Sequence, residues 1–441
     1  MIRERDLVVV GAGAAGLAHA FWRLSRRPDL KISVLEASPR AGGWIQTTIL
    51  DGFCCERGPQ GFRPSRDSDA LVEALGIAAD VVPASGAARR RWLASGGVLH
   101  ELPNGPLKLL TTGLFSFGDC LRLLKEPWIA RGEDPREPLA SFATRRLGRA
   151  MRPLAEAFAR GIFAGNADRI EMRAAFPEVF DLEQRHGSLF RGMRRRGRSG
   201  PRVKRPVLCT FRSGMEACVA AIRSVLGDRL ELCAKVSSFE RDETGFTVSL
   251  AGRDSIRCRE LVLATPPSAT SALVARHSGA MARALDGIRC ASVASVYLGA
   301  FACRFTRDMD GFGCLQPAGE GPVLGALYTS SIFPGHAPPG MSLVRVMSGG
   351  IDHPSECARG DDDLVRQAVE FARKFQGLEG PPAFARVERA MAAIPQYEPG
   401  HCERLAIVRE ELSRLPGLSL IGSGYRQVSV VGQWAEAGSR P

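Results

Sequence analysis

The feature that most constrains this chain is a glycine-rich loop that joins a short apolar strand to an amphipathic helix near the N-terminus. The run DLVVV at residues 6–10 predicts a buried strand, GAGAAG occupies residues 11–16, and LAHAFWRLSRR follows with apolar residues at helical spacing. A second apolar run, KISVLEA, carries Glu36 near its end. The order strand, loop, helix and strand predicts a βαβ unit and an α/β fold class.

The residue types in this unit suit a dinucleotide. Gly11 permits a tight turn, Gly13 lets the backbone approach a pyrophosphate, and Gly16 allows the helix to pack closely. The helix N-terminus adds amide donors and a positive potential. Glu36 follows Gly16 by twenty residues and is placed to accept a hydrogen bond from a ribose hydroxyl. At this point the choice between FAD and NAD stays open.

Length and composition set the scale of the fold. With 441 residues, of which 45% are hydrophobic, the chain can bury cores for two or three domains. No apolar run approaches the roughly eighteen residues that a membrane span needs. The first strand begins at about Asp6 and leaves no room for a leader peptide, so we expect a cytoplasmic protein. Scattered cysteines and histidines predict free thiols and no metal site.

A strongly basic segment follows a long helical pattern in the middle of the chain. Apolar residues recur at spacings of three and four across residues 69–198, and RGMRRRGRSGPRVKRP fills residues 191–206. Its glycines and prolines predict a mobile loop rather than a regular element. The loop is either a solvated linker or a contact for anionic lipid headgroups. We expect no nucleic-acid binding, because no aromatic residues separate the arginines.

Longer motifs carry a resemblance to a known family. After Glu36 the chain reads SPRAGGWIQT, with the spacing seen in flavoproteins of the amine oxidase and phytoene desaturase kind. ERGPQGFRP, LASFATRRLG, GFGCLQP, IPQYEPGH and GSGY follow in the family's order, and GIFAGN at 161–166 is absent from generic amine oxidases. Over nearly its whole length the chain resembles the protoporphyrinogen and coproporphyrinogen oxidase family, which belongs to the FAD-dependent amine oxidase-like superfamily.

The resemblance implies FAD as the cofactor. Trp44 and Gly58 are expected near the flavin end, Val236 at the adenine half, and residues 422–430 over the isoalloxazine. The full set of expected contacts is Gly11, Gly13, Ala14, Ala15, Gly16, Glu36, Ala37, Arg40, Gly42, Gly43, Trp44, Gly58, Pro59, Val236, Gly422, Tyr425, Val428 and Val430.

The resemblance also implies a cavity for a flat macrocycle that bears carboxylates. Its expected walls are Arg91, Gly161, Phe163, Phe312, Leu315 and Met347. Arg91 matches the arginine that meets a propionate, a task that suits a planar guanidinium with paired donors. Alternatively, residues 89–91 are one solvated charge run, and Phe312 and Met347 are ordinary core residues of strands.

The expected architecture is α/β, with a discontinuous Rossmann-like FAD-binding domain over residues 1–88, 206–275 and 395–441. A helical, membrane-associating domain is expected at 89–205 and an antiparallel-sheet substrate domain at 276–394. The implied reaction passes hydride from a porphyrinogen to the flavin and then electrons to O2, so no catalytic side chain is expected. Contact with an anionic membrane and a homodimer are further hypotheses about partners.

The C-terminal sequence departs from the family. An Asn-Asp pair usually follows the terminal tyrosine, whereas this chain reads YRQVSVVGQWAEAG and reaches Pro441 before a full closing helix. Ser213 stands beside Gly214 where two glycines are common. The sequence therefore leaves four interpretations: oxidation of protoporphyrinogen, oxidation of coproporphyrinogen, a related amine oxidase or desaturase, and a flavoprotein that has lost catalysis.

Overall fold

The computed structural model describes residues 3–103, 114–198 and 207–439. Their strands, in chain order, are β1 (Arg3–Val10), β2 (Ile32–Leu35), β3 (Thr47–Leu50), β4 (Phe53–Glu56), β5 (Val81–Pro83), β6 (Trp92–Ser95), β7 (Val98–Glu101), β8 (Cys209–Phe211), β9 (Leu230–Glu231), β10 (Val236–Asp242), β11 (Gly245–Leu250), β12 (Arg253–Leu263), β13 (Cys290–Phe301), β14 (Gly313–Leu315), β15 (Val323–Leu327), β16 (Met341–Gly349), β17 (Phe384–Pro395) and β18 (Leu418–Leu420).

The helices of the same residues are α1 (Ala14–Arg26), α2 (Arg66–Ala74), α3 (Phe117–Leu124), α4 (Leu139–Leu147), α5 (Arg152–Phe163), α6 (Met172–Ala175), α7 (Pro177–His186), α8 (Leu189–Arg198), α9 (Glu216–Leu226), α10 (Pro267–Val274), α11 (Gly279–Asp286), α12 (Thr329–Ile332), α13 (Asp361–Gln376), α14 (His401–Ser413) and α15 (Val430–Ser439).

The N-terminal strand lies in the middle of a seven-stranded mixed sheet. β1 runs parallel to β12 on one side and to β2 on the other, in the order β10-β11-β12-β1-β2-β9, and β18 pairs with β12. Leu7 and Val9 face a core that includes α1, α9 and α15, whereas Val8 faces a core that includes α11 and α14. Both faces of β1 are covered, so its sequence is a continuous apolar run. The discontinuous Rossmann-like fold is confirmed.

The C-terminal helix packs along α1. α15 spans ten residues, and Ser429 supports its first turn by accepting a hydrogen bond from the Gly432 amide at 3.1 Å. Trp434 is 1% exposed and meets the Phe62 ring edge-on at 5.5 Å. The prediction that the chain stops before a full closing helix is therefore wrong. The helix forms because Trp434 and Ala437 complete the same core as α1.

A second seven-stranded sheet has the order β17-β13-β16-β15-β14-β6-β7 and is antiparallel except where β14 pairs with β6. α13 covers one face with apolar side chains, including Leu364 and Phe375. β6 and β7 fall within residues 89–205, so the helical prediction is wrong for residues 92–101. The overlooked signal is Gly96-Gly97, which turns a two-residue hairpin with φ of +59° and +81°.

Residues 114–198 form a helical unit, α3 to α8, held by buried ion pairs. Arg146 lies 2.7 Å from Glu183, and neither side chain is exposed. α8 continues to Arg198, so the prediction of an irregular loop from Arg191 is wrong up to that residue. Arginine favours helices, and Gly192 fits against Leu182. Residues 199–206 of the predicted loop lie outside the described residues.

None of the helices in the described residues is long and apolar enough to cross a bilayer.

Replacing Trp434 with alanine should destabilise the fold strongly. The side chain fills the core between α1 and α15, so the free energy of unfolding should fall by about 3–5 kcal/mol in chemical denaturation. Trp128→Ala is the matched control, because that tryptophan is 78% exposed. Its loss should change stability by no more than about 0.5 kcal/mol. Equal effects of the two variants would contradict the packing of α15.

Candidate cofactor and substrate site

The loop between β1 and α1 is compressed by the residues around it. Gly11 has φ of +102°, and a Cβ there would lie 2.6 Å from the Ala264 carbonyl oxygen. A Cβ on Gly16 would overlap the Gly11 carbonyl oxygen, so only glycine lets α1 start this close to the sheet. Gly13 differs, because no atom of the described residues lies within 4 Å of a Cβ placed on it. The protein leaves space there.

The N-terminus of α1 faces that space. The helix begins at Ala14 with Gly13 as its N-cap, and no side chain among the described residues caps it. Its first turn, including Ala15, contains no acidic residue. The first amides of a helix lack intrahelical acceptors, and their positive end of the dipole attracts anions. This geometry suits a pyrophosphate beside Gly13.

Glu36 is held at the end of β2 beside the glycine loop. Its Oε2 accepts a hydrogen bond from the Ala12 amide at 2.8 Å, and its Oε1 accepts one from the Ser38 amide at 2.9 Å. Each oxygen can accept a further bond, and the side chain is only half-buried. The carboxylate is thus oriented to accept a ribose hydroxyl. Its neighbour Ala37 is exposed.

Arg40 shapes the next loop against the first. Its guanidinium donates to the carbonyl oxygens of Gly43 and Ile45, each at 2.6 Å. The Gly42 amide donates to Ala12 at 2.7 Å, and a Cβ on Gly43 would lie 3.1 Å from the Gly13 Cα. The structure therefore brings together residues 11–16, Glu36 and residues 40–43. Arg40 fixes backbone here through both of its terminal nitrogens.

The segment expected at the flavin end follows directly. Trp44 lies against Gly58, where a Cβ would overlap the Trp44 carbonyl oxygen. Pro59 is half-buried after it. Val236 is 9% exposed and shares a core with Leu35 at the end of β2. The Ala234 amide donates to the Glu36 carbonyl oxygen at 2.8 Å, so the segment before Val236 lies beside the end of β2.

The C-terminal residues of the expected site are divided among three cores. Gly422 has φ of +128°, and the Tyr425 hydroxyl donates to Thr270 Oγ1 at 2.9 Å. Burial raises the pKa of Tyr425, so this phenol stays protonated. Val428 packs against the helical unit, whereas Val430 begins α15 and packs against the core of α1. Residues 422–430 therefore bridge the helical unit and the first sheet.

The expected substrate residues form two contacting pairs at β14. The Arg91 guanidinium carbon lies 5.2 Å from the centroid of the Phe312 ring. A Cβ on Gly161 would lie 2.7 Å from Leu315 Cδ2, so α5 and β14 touch at this glycine. Because Phe312 immediately precedes β14 and Leu315 ends it, the strand links the two pairs.

Phe163 and Met347 lie farther into the protein. The Phe163 ring is 3% exposed and packs 5.5 Å from Tyr397, centroid to centroid, in the core of the helical unit. Met347 is half-buried against a small cluster that contains Ala164 and Leu324. Phe163 is therefore a core residue of the helical unit.

The sequence patterns did not predict two buried charged residues beside Gly58, Glu56 and Arg345. Glu56 is fully buried and accepts hydrogen bonds from Thr47 Oγ1 at 2.9 Å and from the Met215 amide at 2.8 Å. Arg345 is 5% exposed and donates to the Gly58 carbonyl oxygen at 2.8 Å. Each of the two apolar runs FCCE and LVRVM carries a single charged residue. Because charged residues are seldom buried unless they are paired, these two charges were the signal that could have identified the residues.

Burial raises the pKa of Glu56 to about 7. Hydrogen bonds from the Met215 amide and Thr47, and the positive charge of Arg345, act in the opposite direction but do not offset the burial.

A family model for flavin containing amine oxidoreductases matches residues 14–430. The chain belongs to this family. Its relatives include the protoporphyrinogen oxidase of Bos taurus, 35% identical over 97% of this chain and 95% of that protein, and that of Homo sapiens, 34% identical over the same shares. The coproporphyrinogen III oxidase of Bacillus subtilis is 26% identical, again over 97% and 95%. The resemblance of the motifs is confirmed.

Solved structures agree on the fold. A protein of Exiguobacterium sp. 255-15 superposes with a TM-score of 0.83 at 24% identity, covering 100% of this chain and 98% of that one. A UDP-galactopyranose mutase gives 0.75 at 14% identity, covering 98% and 94%, and a putrescine oxidase variant gives 0.71 at 16%, covering 100% and 99%. These similarities establish an amine oxidase-like α/β fold.

This flavin oxidoreductase has FAD as its cofactor, and the residues at the glycine loop fit it. The open space at Gly13, the uncapped start of α1 and the fixed Glu36 carboxylate would hold the ADP half. The chain then leads through Gly43 to Trp44 and Gly58, which would adjoin the flavin half.

Gly13→Ala should weaken FAD binding without unfolding the protein. The new methyl group meets no described atom within 4 Å, so the apoprotein should lose at most about 1 kcal/mol of stability. It occupies the space of the pyrophosphate, so the Kd for FAD should rise about tenfold or more, which is about 1.4 kcal/mol. Titration of apoprotein with FAD, followed by flavin fluorescence, measures this change.

Gly335→Ala is the matched control for that titration. Its Cβ also enters open space, in the segment between α12 and β16. The control should bind FAD like the unaltered protein. Normal FAD binding by Gly13→Ala would show that the pyrophosphate lies elsewhere.

Glu56→Gln should change how stability depends on pH. Because the pKa of Glu56 in the fold is above its ordinary value, its contribution is full at acidic pH and is lost as the pH rises through about 7. The free energy of unfolding of the glutamine variant, relative to that of the unaltered protein, should therefore rise by on the order of 3 kcal/mol between acidic and alkaline pH. Urea unfolding across that range measures it, with the exposed Glu240→Gln as a control. Parallel pH profiles would contradict the burial of this charge.

Proposed function

We propose that this chain is an FAD-dependent oxidase that converts protoporphyrinogen IX to protoporphyrin IX with O2 as the electron acceptor. Its relationship to proteins named protoporphyrinogen oxidase supports this, at 35% and 34% identity over 97% of the chain. The observation in the structure that carries the proposal is the Arg91 guanidinium over the Phe312 ring. A flat macrocycle with propionates needs an apolar ring face and a fixed cation side by side.

The three arginines at residues 89–91 differ in their surroundings. Arg90 forms ion pairs with Asp310 and Glu101, so its charge is already balanced, and Arg89 is exposed. The Arg91 guanidinium lies over the face of the Phe312 ring, and its planar fork can offer coplanar bonds to a carboxylate. Such charge-assisted pairs are about twice as strong as neutral hydrogen bonds.

The remaining side chains would shape the cavity and keep water out. The contact between Gly161 and Leu315 closes the gap between α5 and β14, and Met347 adds a half-buried apolar surface. When bound, the isoalloxazine supplies the redox chemistry: three cycles remove six electrons and six protons from a porphyrinogen and turn three O2 into three H2O2. The protein contributes binding and orientation.

Coproporphyrinogen III is the second candidate substrate, with coproporphyrin III as its product. The coproporphyrinogen III oxidase of Bacillus subtilis, 26% identical over 97% of the chain, favours it. The two porphyrinogens share the reduced macrocycle and differ in side groups and in the number of carboxylates. Direct comparison of the two as substrates distinguishes them.

The decisive experiment uses the purified protein and both porphyrinogens. We expect a bound-flavin spectrum, and in air an increase in porphyrin fluorescence accompanied by H2O2, with the faster rate for protoporphyrinogen. Protein without flavin would overturn the proposal. A faster rate with coproporphyrinogen would establish the second candidate, and flavin without turnover of either would indicate a flavoprotein that has lost catalysis.

Arg91→Ala should mainly raise the KM for the porphyrinogen. Loss of a charge-assisted bond of about 1.5–3 kcal/mol lowers kcat/KM by roughly ten- to a hundredfold, with kcat changed much less. The KM of Arg91→Lys should lie between that of the unaltered protein and that of Arg91→Ala, because lysine keeps the charge but lacks the planar fork. Steady-state kinetics measures this, with the exposed Arg89→Ala as the matched control. Unchanged KM in Arg91→Ala would exclude Arg91 from the substrate site.

We further propose peripheral contact with an anionic membrane through the exposed face of α3 and the turn after it. Phe117, Leu124 and Trp128 are 72%, 65% and 78% exposed, and Arg122 and Lys125 lie between them in the chain. Exposed aromatic and aliphatic residues beside cations are typical of a helix that lies in the headgroup region of an anionic bilayer.

A double variant, Phe117→Ser with Trp128→Ser, tests this surface. The unaltered protein should co-sediment with phosphatidylserine-containing vesicles and much less with phosphatidylcholine vesicles, and the double variant should lose most of that binding. Phe301→Ser, at another exposed phenylalanine, should bind like the unaltered protein. Equal binding by the double variant would exclude α3 as the contact.

A further inference from the structure

The backbone of Glu56, Arg57 and Gly58 is held by hydrogen bonds from the second sheet. Arg345, on β16, donates to the carbonyl oxygen of Gly58 at 2.8 Å and to that of Arg57 at 3.3 Å. The Tyr297 hydroxyl, on β13, donates to the Glu56 carbonyl oxygen at 2.7 Å and accepts from the Glu56 amide at 2.8 Å. One short segment of the first half of the chain is thus fixed by two neighbouring strands of the other sheet.

Arg345 carries a buried charge whose hydrogen-bond partners are all neutral. Besides the two carbonyl oxygens, its Nε and Nη2 donate to Ser295 Oγ at 3.1 and 2.9 Å, and the guanidinium lies 5.5 Å from the Tyr297 ring. No carboxylate of the described residues lies within 4.0 Å of it. Glu56 interacts with it electrostatically at longer range. In a low-dielectric interior such a charge acts over a longer distance than it would in water.

A chain of close contacts connects Arg345 to the cofactor loop. Gly13 touches Gly43, Gly43 precedes Trp44, and Trp44 lies against Gly58, whose carbonyl oxygen Arg345 binds. If the ADP half lies at Gly13, the flavin half extends toward Gly58. Arg345 then lies behind the backbone that faces the isoalloxazine.

We propose that Arg345 is a positioning residue that holds residues 57–59 against the flavin and raises the reduction potential of the flavin through its buried charge. The inference rests on the placement of FAD in the proposed function. A fixed positive charge near the isoalloxazine stabilises its reduced, anionic form, and the protein tunes flavin chemistry through such charges. Arginine is suited to this because its rigid fork spans two adjacent carbonyl oxygens.

The test compares Arg345→Met and Arg345→Lys with Arg160→Met as the matched control. Arg160 is also 5% exposed and also donates to carbonyl oxygens, those of Pro317, Gly321 and Val323. The midpoint potential of the bound flavin is measured without substrate, followed by kcat and KM. Arg345→Met should lower the potential and lower kcat about tenfold with little change in KM. Arg345→Lys should keep a potential near that of the unaltered protein, and Arg160→Met should leave it unchanged.

Glu56→Gln supplies a second test that does not remove Arg345. At alkaline pH it deletes the negative charge that opposes the guanidinium, so the potential should rise. This variant and Arg345→Lys decide the matter if Arg345→Met does not fold. Potentials equal to that of the unaltered protein in both Arg345→Met and Glu56→Gln would overturn the inference, as would an equal shift in Arg160→Met. Failure of the proposed function is distinguishable, because it appears as missing flavin or missing turnover in the unaltered protein.

Discussion

The close approach of three backbone segments around residues 11–16 is the constraint on which the rest of the structure depends. β12 ends at Leu263, and the next carbonyl, that of Ala264, lies where a side chain on Gly11 would be. The start of α1 crosses the Gly11 carbonyl, and the Gly42 amide binds Ala12. Side chains at these points would push the segments apart. Because these segments are in contact, the first amides of α1 and the Glu36 carboxylate lie on the same open side of the glycine loop.

That constraint also explains which parts of the fold the sequence predicts. β1, the glycine loop, α1 and Glu36 follow from spacing within thirty-odd residues, because each contact is local or set by the βαβ geometry. The pairing of β6 with β14 joins residues more than two hundred positions apart, and no local pattern specifies it. α15 is similar, since its sequence is weakly amphipathic and it is stabilised by packing against α1, α2 and Phe62. Tertiary packing decides both.

In the site, too, local sequence predicts some features and tertiary packing decides the others. The motifs identified the residues but not what they contact. GIFAGN forms a tight junction: Ala164 adopts φ of +47°, Gln396 donates to the Phe163 carbonyl oxygen at 2.7 Å, and the Ile351 amide donates to that of Ala164 at 2.9 Å. The motif therefore joins the helical unit to the end of β16 and to the end of β17. A left-handed alanine is a strained conformation that persists only when its surroundings fix it. Phe163 lies in a core because the motif joins these elements.

Arginine side chains also connect separate segments of the chain in several other places. Arg40, Arg160 and Arg345 each donate to two or more backbone carbonyl oxygens, most of them in loops. A lysine ammonium could reach one such oxygen but could not span two with fixed geometry. Only six of the 59 basic residues are lysines, and part of that bias is explained by these buried forks. Among the described residues, however, eight buried glutamates outnumber four buried arginines, so the net charge of +12 lies on the more exposed side chains, where it would attract an anionic macrocycle.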